Sequence, residues 1–268
     1  MLRKLSMQEY LDLPAIGAHD IISFMTCPAK WKYEKEHPRK TDAMSFGSLV
    51  HTATLEPELM DQIYYSMPKI DRRTKDGKEA YAKAESEAKG KHIISHEDYN
   101  ESLVLASSVR ACIAAEKLMK NSQFEMSATA TIHDISIRSR FDIISENRYL
   151  ADLKTTQDAS PFGFSREIAR YYYHVQAALY LDVYSQVTGE PQRSFAFIAV
   201  EKTPPYLCAV YELSEDAIDK GRELYENALK QFMACEFANV WPGYSDHIVT
   251  IDLPIWSQNE EGKKHDIF

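Results

Sequence analysis

The sequence lacks the features of a membrane protein or a disulfide-bonded protein. No run of about 18 apolar residues is present, so no segment is predicted to cross a membrane. The four cysteines are too few and too scattered for a disulfide framework or a CxxC zinc site; they are Cys27, Cys112, Cys208 and Cys235. The first residues, MLRKLSMQEYLDLP, hold an acid and a proline where a signal peptide needs an unbroken apolar stretch. We therefore expect a reduced, cytoplasmic protein with no membrane partner.

Positive charge is also scarce. Lys and Arg total 31 against 40 Asp and Glu, which gives a formal net charge of −9. Because nucleic-acid backbones bind basic surfaces, this balance argues against a chain coated in nucleic acid. A local nucleic-acid site stays compatible with it, since acids that hold cations are counted here as bare charge.

The composition is that of a folded globular chain. Hydrophobic residues make up 44 % and charged residues 26 % of the 268 residues, which are ordinary values for a protein with a buried core. We predict a single domain over residues 1–258, with core elements near 42–58 and 121–213, and a disordered tail at 259–268.

Hydrophobic spacing is helical in the first part of the chain and alternating after Asn121. Predicted helices cover roughly 21–31 with a new start at Pro28, 43–55, the charged segment 69–91 (a solvated helix or a mobile insertion), 95–119 capped by Ser95, 165–189 capped by Ser165, and 214–235. Predicted strands cover 124–130, 135–143, 149–154, 195–200 and 208–213. This order predicts an α/β fold in which a mixed central sheet is flanked by helices, with a helical N-terminal portion packed on it.

Two carboxylates are predicted to meet on adjacent strands. The midpoint between Asp142 and Asp152 is residue 147, so a hairpin centred there places the two side chains directly opposite each other. Opposed side chains have Cβ atoms about 4.5–5.5 Å apart, and two carboxylates that close repel unless a cation lies between them. Such a pair suits a hard divalent ion, Mg²⁺ or Mn²⁺.

Lys154 follows Asp152 by two residues and shares its strand face. Cleavage of a phosphodiester needs an attacking water, neutralisation of phosphate charge and protonation of the leaving oxygen. Metal ions and a neighbouring ammonium group can supply these. The alternative is a surface hairpin that carries these residues by chance, because the tripeptide Asp-x-Lys is common.

Three motifs occur in the order typical of one nuclease superfamily. They are Asp142-x9-Asp152-x-Lys154 followed by a helix, the upstream segment Phe46-Gly47-Ser48-Leu49-Val50-His51, and Tyr173-His174-Val175-Gln176 with Tyr180 one turn further on. The chain thus resembles the PD-(D/E)xK nuclease superfamily, which has a restriction-endonuclease-like core. Within it the chain resembles the RecE-type, exonuclease VIII-like phage recombination exonucleases over roughly residues 20–256. The segment 37–44 shares this likeness, whereas Phe141 stands in place of the proline.

The resemblance implies an activity and its partners. The protein would be a Mg²⁺-dependent exonuclease, with Mn²⁺ able to substitute, that degrades linear double-stranded DNA processively from 5′ to 3′. It would leave 3′ single-stranded tails for a single-strand annealing protein and would close into a homo-oligomeric ring around DNA. The implied metal ligands are His51, Asp142, Asp152 and the backbone carbonyl of Leu153, with Lys154 activating water.

Further site residues are assigned around this centre. Gln176, on the helix that packs on the sheet, is expected to hold Lys154 or a DNA phosphate, and Tyr180 to add a hydrogen bond at the DNA. Arg140 shares a strand face with Asp142 and is expected to reach a phosphate. Glu125, on the first strand of the meander, is a candidate further acid. Additional candidates for DNA contact are Lys30, Lys32, Lys35, Arg39, Lys40, Arg72, Arg73 and Arg138.

The segment 24–31 resembles the N-terminal cysteine segment of the iron–sulfur nucleases in the same superfamily. Those enzymes need three more clustered cysteines near the C-terminus, and Cys235 is the single late cysteine of this chain. We therefore expect no iron–sulfur cluster, and Cys27 is predicted to be a buried small residue.

Two other functions stay open at this point. A structure-specific or restriction-type endonuclease would use the same residues but would also nick a closed circular duplex. A catalytically silent DNA-binding module would keep the fold without the chemistry. The complete set of His51, Asp142, Asp152, Lys154 and Gln176 argues against the silent module.

Overall fold

Eight β-strands form two sheets in the computed structural model, which describes residues 1–37, 46–190 and 194–253. The strands are β1 (Arg3–Lys4), β2 (Tyr64–Met67), β3 (His92–Ser95), β4 (Gln123–Ile132), β5 (Ile135–Ile144), β6 (Tyr149–Thr156), β7 (Ser194–Glu201) and β8 (Cys208–Glu212). Six of them form one sheet in the order β1-β4-β5-β6-β7-β8, in which β6 and β7 are parallel and the other pairs antiparallel. β2 and β3 form a separate parallel pair. The mixed central sheet confirms the predicted fold class.

Eleven α-helices accompany these strands in the same described part of the chain. They are α1 (Met7–Leu11), α2 (Ala18–Thr26), α3 (Pro28–Glu36), α4 (Phe46–Leu55), α5 (Met60–Ile63), α6 (Lys75–Ala88), α7 (His96–Ala111), α8 (Ile113–Met119), α9 (Pro161–Arg170), α10 (Tyr173–Thr188) and α11 (Glu215–Ala238), with a 3₁₀ helix at Pro57–Leu59. The parallel pair β6–β7 needs a crossover connection, which α9 and α10 supply.

The turn between β4 and β5 falls between the two strands predicted at 124–130 and 135–143. His133 and Asp134 both have positive φ (48° and 61°), which is the backbone that the preferred two-residue hairpins require. This turn fixes the register of the two strands, so that Ala130 pairs with Ile137.

The second hairpin sets the register of the two predicted acids. Ile143 pairs with Ala151, so the hairpin between β5 and β6 is centred on residue 147. Asp142 and Asp152 are the next positions along the same two strands. The pairing of Ile143 with Ala151 is the register that a turn centred on residue 147 predicts, and the paired residues end there.

The helix predicted at 165–189 is two helices in the structure. α9 begins after Ser160, whose side chain accepts the backbone N–H of Gly163, and Pro161 occupies its first position. Ser165 as the N-cap is wrong, because Ser160 followed by proline provides an earlier start. The break between α9 and α10 comes at Tyr172, whose φ of 56° is not helical, and α10 starts at the next residue.

Other element boundaries differ from prediction in smaller ways. The helix predicted at 95–119 divides at Cys112, where the backbone is extended, although Ser95 caps α7 as predicted. The charged segment 69–91 forms α6, which is largely exposed, as expected of a solvated helix. The short strands β1, β2 and β3 were not predicted, because four residues or fewer carry too little alternation. The predicted helix start at residue 43 and the predicted tail at 259–268 lie outside the described residues.

Helices cover both faces of the central sheet. On one face α2, α10 and α11 bury a core that includes Phe24, Val175, Phe197 and Phe232. On the other face α4 and α7 bury a second core that includes Val50, Leu105, Ile143, Leu153 and Ile198. No helix in the described parts of the chain is long and apolar enough to cross a membrane.

Candidate active site

The candidate site lies where the strand ladders open around Asp142. Glu125 is opposite Asp142 in register, but these two residues are not paired in the β4–β5 ladder, which pairs the residues on either side of them. Glu125 has a φ of 56°, which is uncommon for a non-glycine residue. On the other side the β5–β6 ladder stops at Ile143 and Ala151. Beyond that point Asp142 Oδ2 accepts the backbone N–H of Leu153 at 2.9 Å. A side-chain carboxylate therefore holds the two strands together where the backbone ladder ends.

His51 reaches this opening from α4. Its Nδ1 lies 3.4 Å from Asp142 Oδ2 and 3.9 Å from Glu125 Oε1. Its Nε2 lies 2.6 Å from the carbonyl oxygen of Leu153. The neighbouring Val50 is fully buried, so the packing of α4 on the sheet fixes where the imidazole points.

The charges of these side chains depend on one another. Burial and the charge of Asp152 raise the pKa of Asp142 to about 7. Burial disfavours the imidazolium of His51, but the charges of Asp142 and the other acids outweigh it and raise its pKa to about 9. Burial also opposes the charge of Glu125, yet its contacts with His51 and Arg140 lower its pKa. At neutral pH the imidazolium therefore balances part of the negative charge.

His51, Glu125 and Asp142 form a group that fits a divalent metal ion. One ligand atom from each lies within 4.8 Å of the others. An imidazole nitrogen and two carboxylate oxygens are suitable donors for such an ion, and the carbonyl of Leu153, which meets the same imidazole, adds an oxygen. Burial of two acids beside each other also makes a cation favourable here. Glu125 thus joins the residues that sequence analysis assigned to the metal.

Asp152, Lys154 and Gln176 form a closed set of polar contacts next to this group. Lys154 Nζ lies 2.6 Å from Asp152 Oδ2 and donates to Gln176 Oε1 at 3.1 Å. Gln176 Nε2 donates to Asp152 Oδ1 at 2.5 Å. Gln176 therefore lies against Lys154, which is one of its two predicted positions. Asp152 is engaged by these two side chains and lies outside the group formed with His51, so its role as a metal ligand stays a prediction.

An aromatic ring lies on another side of the lysine. Lys154 Nζ is 4.6 Å from the ring centroid of Tyr173, within the range of a cation–π contact. Burial opposes the ammonium form, but the charges of Asp152 and Asp142 raise the pKa of Lys154. A lysine held in this way is a cation that can orient water and stabilise negative charge on a phosphate. Sequence analysis did not find this contact, since only the fold brings Tyr173 to Lys154.

The position of Glu125 was available from the sequence. Glu125 and Asp142 each lie eight residues from the turn at His133 and Asp134. The same symmetry argument that places Asp142 opposite Asp152 therefore places Glu125 opposite Asp142. Three acids then occupy one level of three adjacent strands.

Arg140 and Tyr180 support the site from inside the protein. Arg140 is paired with Glu125 and donates to the carbonyl oxygen of Leu5 at 2.8 Å, and its side chain is only 12 % exposed. Tyr180 is 9 % exposed, with its ring edge-on to Phe141 at 5.4 Å. Direct contact with DNA stays a prediction for both residues.

The other basic candidates are mostly occupied by contacts within the chain. Arg138 is buried and donates to the carbonyl oxygens of Leu11 and Leu13. Acids or aromatic rings lie beside Lys30, Lys32, Lys35, Arg72 and Arg73. Arg39 and Lys40 lie outside the described residues. Cys27 is a free, buried cysteine, as predicted.

Comparisons with known proteins agree with this architecture. The sequence model of a family described as "PDDEXK-like domain of unknown function (DUF3799)" matches residues 20–254. Among solved structures, a protein described as a "putative exonuclease" from Eubacterium rectale matches with a TM-score of 0.61 at 13 % identity, over 96 % of this chain and 99 % of that chain. The structure of SSO0001 matches with a TM-score of 0.35 at 16 % identity, over 84 % of this chain and 81 % of that one. No curated protein matches the chain in sequence.

Proposed function

Because the chain belongs to the DUF3799 family of PDDEXK-like domains, we propose that it is a metal-dependent deoxyribonuclease that acts on the ends of linear double-stranded DNA. The resemblance to the PD-(D/E)xK superfamily is thereby confirmed. The observation that carries the proposal is the meeting of two groups at Asp142. Asp142 Oδ2 lies 3.4 Å from His51 Nδ1, in the group that fits a metal, and accepts the backbone N–H of Leu153, the residue between Asp152 and Lys154.

The two groups have separate tasks in phosphodiester hydrolysis. His51, Glu125 and Asp142 would hold Mg²⁺, or Mn²⁺ in its place, with the Leu153 carbonyl as a further ligand. When bound, such an ion supplies Lewis acidity that activates water and neutralises phosphate charge.

Lys154 would orient the attacking water and stabilise the charge that develops on the phosphate. Its raised pKa favours the ammonium form, which serves these two tasks better than proton removal. Asp152 and Gln176 fix the position of the ammonium by direct contact.

Exonuclease action is favoured over cutting within a duplex by two considerations. The sequence motifs resemble RecE-type exonucleases, and the Eubacterium rectale structure is described as a "putative exonuclease". We propose 5′-to-3′ processive digestion that leaves 3′ tails for an annealing protein. A homo-oligomeric ring would reconcile this with the net charge of −9, because an acidic outer surface can coexist with a basic channel.

The test is digestion of end-labelled linear duplex DNA beside a closed circular duplex, with Mg²⁺ and with EDTA. We expect nucleotide release from the linear substrate in Mg²⁺, no release in EDTA, and an intact circle. Asp152→Asn should lose several orders of magnitude in rate without unfolding. Asp134→Asn is the matched control, since it makes the same isosteric change in the exposed turn of the β4–β5 hairpin and should retain full activity.

Each other outcome points to a different function. Nicking of the circle would replace the exonuclease by an endonuclease. DNA binding with no nucleotide release from either substrate, in Mg²⁺ or Mn²⁺, would identify a catalytically silent module.

A further inference from the structure

The backbone kink at Glu125 is held by a residue far away in sequence. Lys4, in β1, pairs with Met126 in β4. Its ammonium donates to the carbonyl oxygen of Phe124 at 3.1 Å, and this carbonyl belongs to the peptide bond that precedes Glu125. Because Glu125 has a φ of 56°, this contact fixes the peptide from which its side chain departs.

The same ammonium also reaches the helix that carries His51. Lys4 Nζ lies 2.5 Å from Oε1 of Glu56, the residue that directly follows α4. Glu56 is only 7 % exposed, and a buried carboxylate needs a partner of this kind. Lys4 therefore connects the two elements that supply His51 and Glu125.

The carboxylate of Glu125 is connected to Leu5, the residue after Lys4, through the side chain of Arg140. Arg140 pairs with Glu125 and donates to the carbonyl oxygen of Leu5 at 2.8 Å. Glu125 is 8 % exposed, so its orientation depends on these internal contacts. Residues 4 and 5 thus restrain both the backbone and the side chain of one candidate metal ligand.

We propose that Lys4 and Leu5 form a positioning element for the metal site, with Lys4 as its central residue. The proposal rests on the metal site assigned above. The segment lies outside residues 20–254, the part of the chain that the family model matches. Lys4 touches neither substrate nor metal, and it acts by fixing where Glu125 and α4 lie.

The measurement is the affinity for Mn²⁺, determined by isothermal titration calorimetry on the full chain. Lys4→Met keeps the aliphatic stem and removes the ammonium. We expect about tenfold weaker Mn²⁺ binding, the usual loss when a residue that supports a metal ligand is removed. Lys4→Arg should keep most of the affinity, because its guanidinium can donate hydrogen bonds to both the Phe124 carbonyl oxygen and the Glu56 carboxylate. Arg3→Met is the matched control, since the exposed Arg3 lies on the same strand, and its affinity should equal that of the unmodified protein.

A double-mutant cycle separates positioning from general stability. Glu125→Gln should weaken Mn²⁺ binding by itself, and Lys4→Met should then weaken it less than in the unmodified protein, because the part of its effect that passes through Glu125 is already lost. A melting temperature lowered by Lys4→Met, with Mn²⁺ affinity equal to that of Arg3→Met, would overturn the proposal. If Glu125→Gln and His51→Ala both leave Mn²⁺ binding unchanged, the metal site itself is wrong, which is a distinguishable failure.

Discussion

The protein contains two buried clusters that are built on opposite principles. Phe24, Trp31, Phe232 and Trp241 pack between α2, α3 and α11 with ring centroids 5.0–6.3 Å apart, mostly edge to face. The ring contacts of this aromatic cluster are favourable without any ligand. Burial and the charge of Asp152 raise the pKa of Asp142, and acids packed this closely favour a bound cation.

This difference separates stability from function within one fold. The aromatic cluster contributes folding free energy and contains no group that could act on a phosphate. The acid cluster concentrates buried negative charge, which opposes folding of the protein alone and favours a bound divalent cation. Substitutions in the two clusters should therefore move stability and activity in different directions.

The largest expected effect is that of Asp142→Asn on nuclease activity. Loss of a candidate ligand that also bonds the Leu153 N–H should lower kcat/KM by about 10³-fold or more. The same change should raise the free energy of unfolding of the metal-free protein, because the repulsion with Asp152 disappears. Urea denaturation in EDTA, together with DNA digestion in Mg²⁺, measures both quantities. A destabilised Asp142→Asn protein would contradict the contrast between the clusters.

The reverse pattern is expected in the aromatic cluster. Trp31→Ala should lower the free energy of unfolding by about 3–5 kcal/mol, because it leaves a large cavity against Phe232. Nuclease activity per folded molecule at low temperature should stay unchanged. Trp31→Phe is the control and should cost much less, since the indole Nε1 has no hydrogen-bond partner within the described residues. Equal losses in the two variants would show that packing is not the cause.

A smaller effect is expected at Gln176, which connects Asp152 to Lys154. Gln176→Leu keeps the approximate volume but removes both hydrogen bonds, so the ammonium loses one of its restraints. We expect kcat to fall about 10–100-fold with little change in stability. Single-turnover digestion of linear duplex DNA measures the chemical step. An unchanged rate would show that Asp152 alone holds Lys154.

Much of the site followed from the sequence because hairpin register is simple arithmetic. The position of Asp142 opposite Asp152 depends only on a turn centred at residue 147, and that turn is local in sequence. The opening of the ladder at Glu125 was not predictable in the same way. Lys4 and Leu5, more than a hundred residues away, contact the backbone of Phe124 and the side chain of Arg140 at this point, and no short-range pattern encodes those contacts.

The helices illustrate the same limit. Periodicity located the helical regions, but breaks such as the one at Tyr172 interrupt a pattern that stays apolar on both sides. Such a break depends on how the flanking helices pack on the sheet. The contact of Tyr173 with Lys154 depends on the start of α10 at Tyr173, so it could not be predicted from the sequence either.

The smallest expected effect concerns the contact between Tyr173 and Lys154. Tyr173→Leu removes the aromatic face from the Lys154 ammonium, and a cation–π contact of about 1 kcal/mol predicts roughly fivefold lower kcat. KM should change little if the ring positions the lysine and does not bind DNA. Tyr173→Phe keeps the ring and should retain the normal rate. Equal losses of kcat in Phe and Leu variants would assign the effect to the hydroxyl group. A rise in KM alone would show that Tyr173 contacts the substrate and that its ring does not position Lys154.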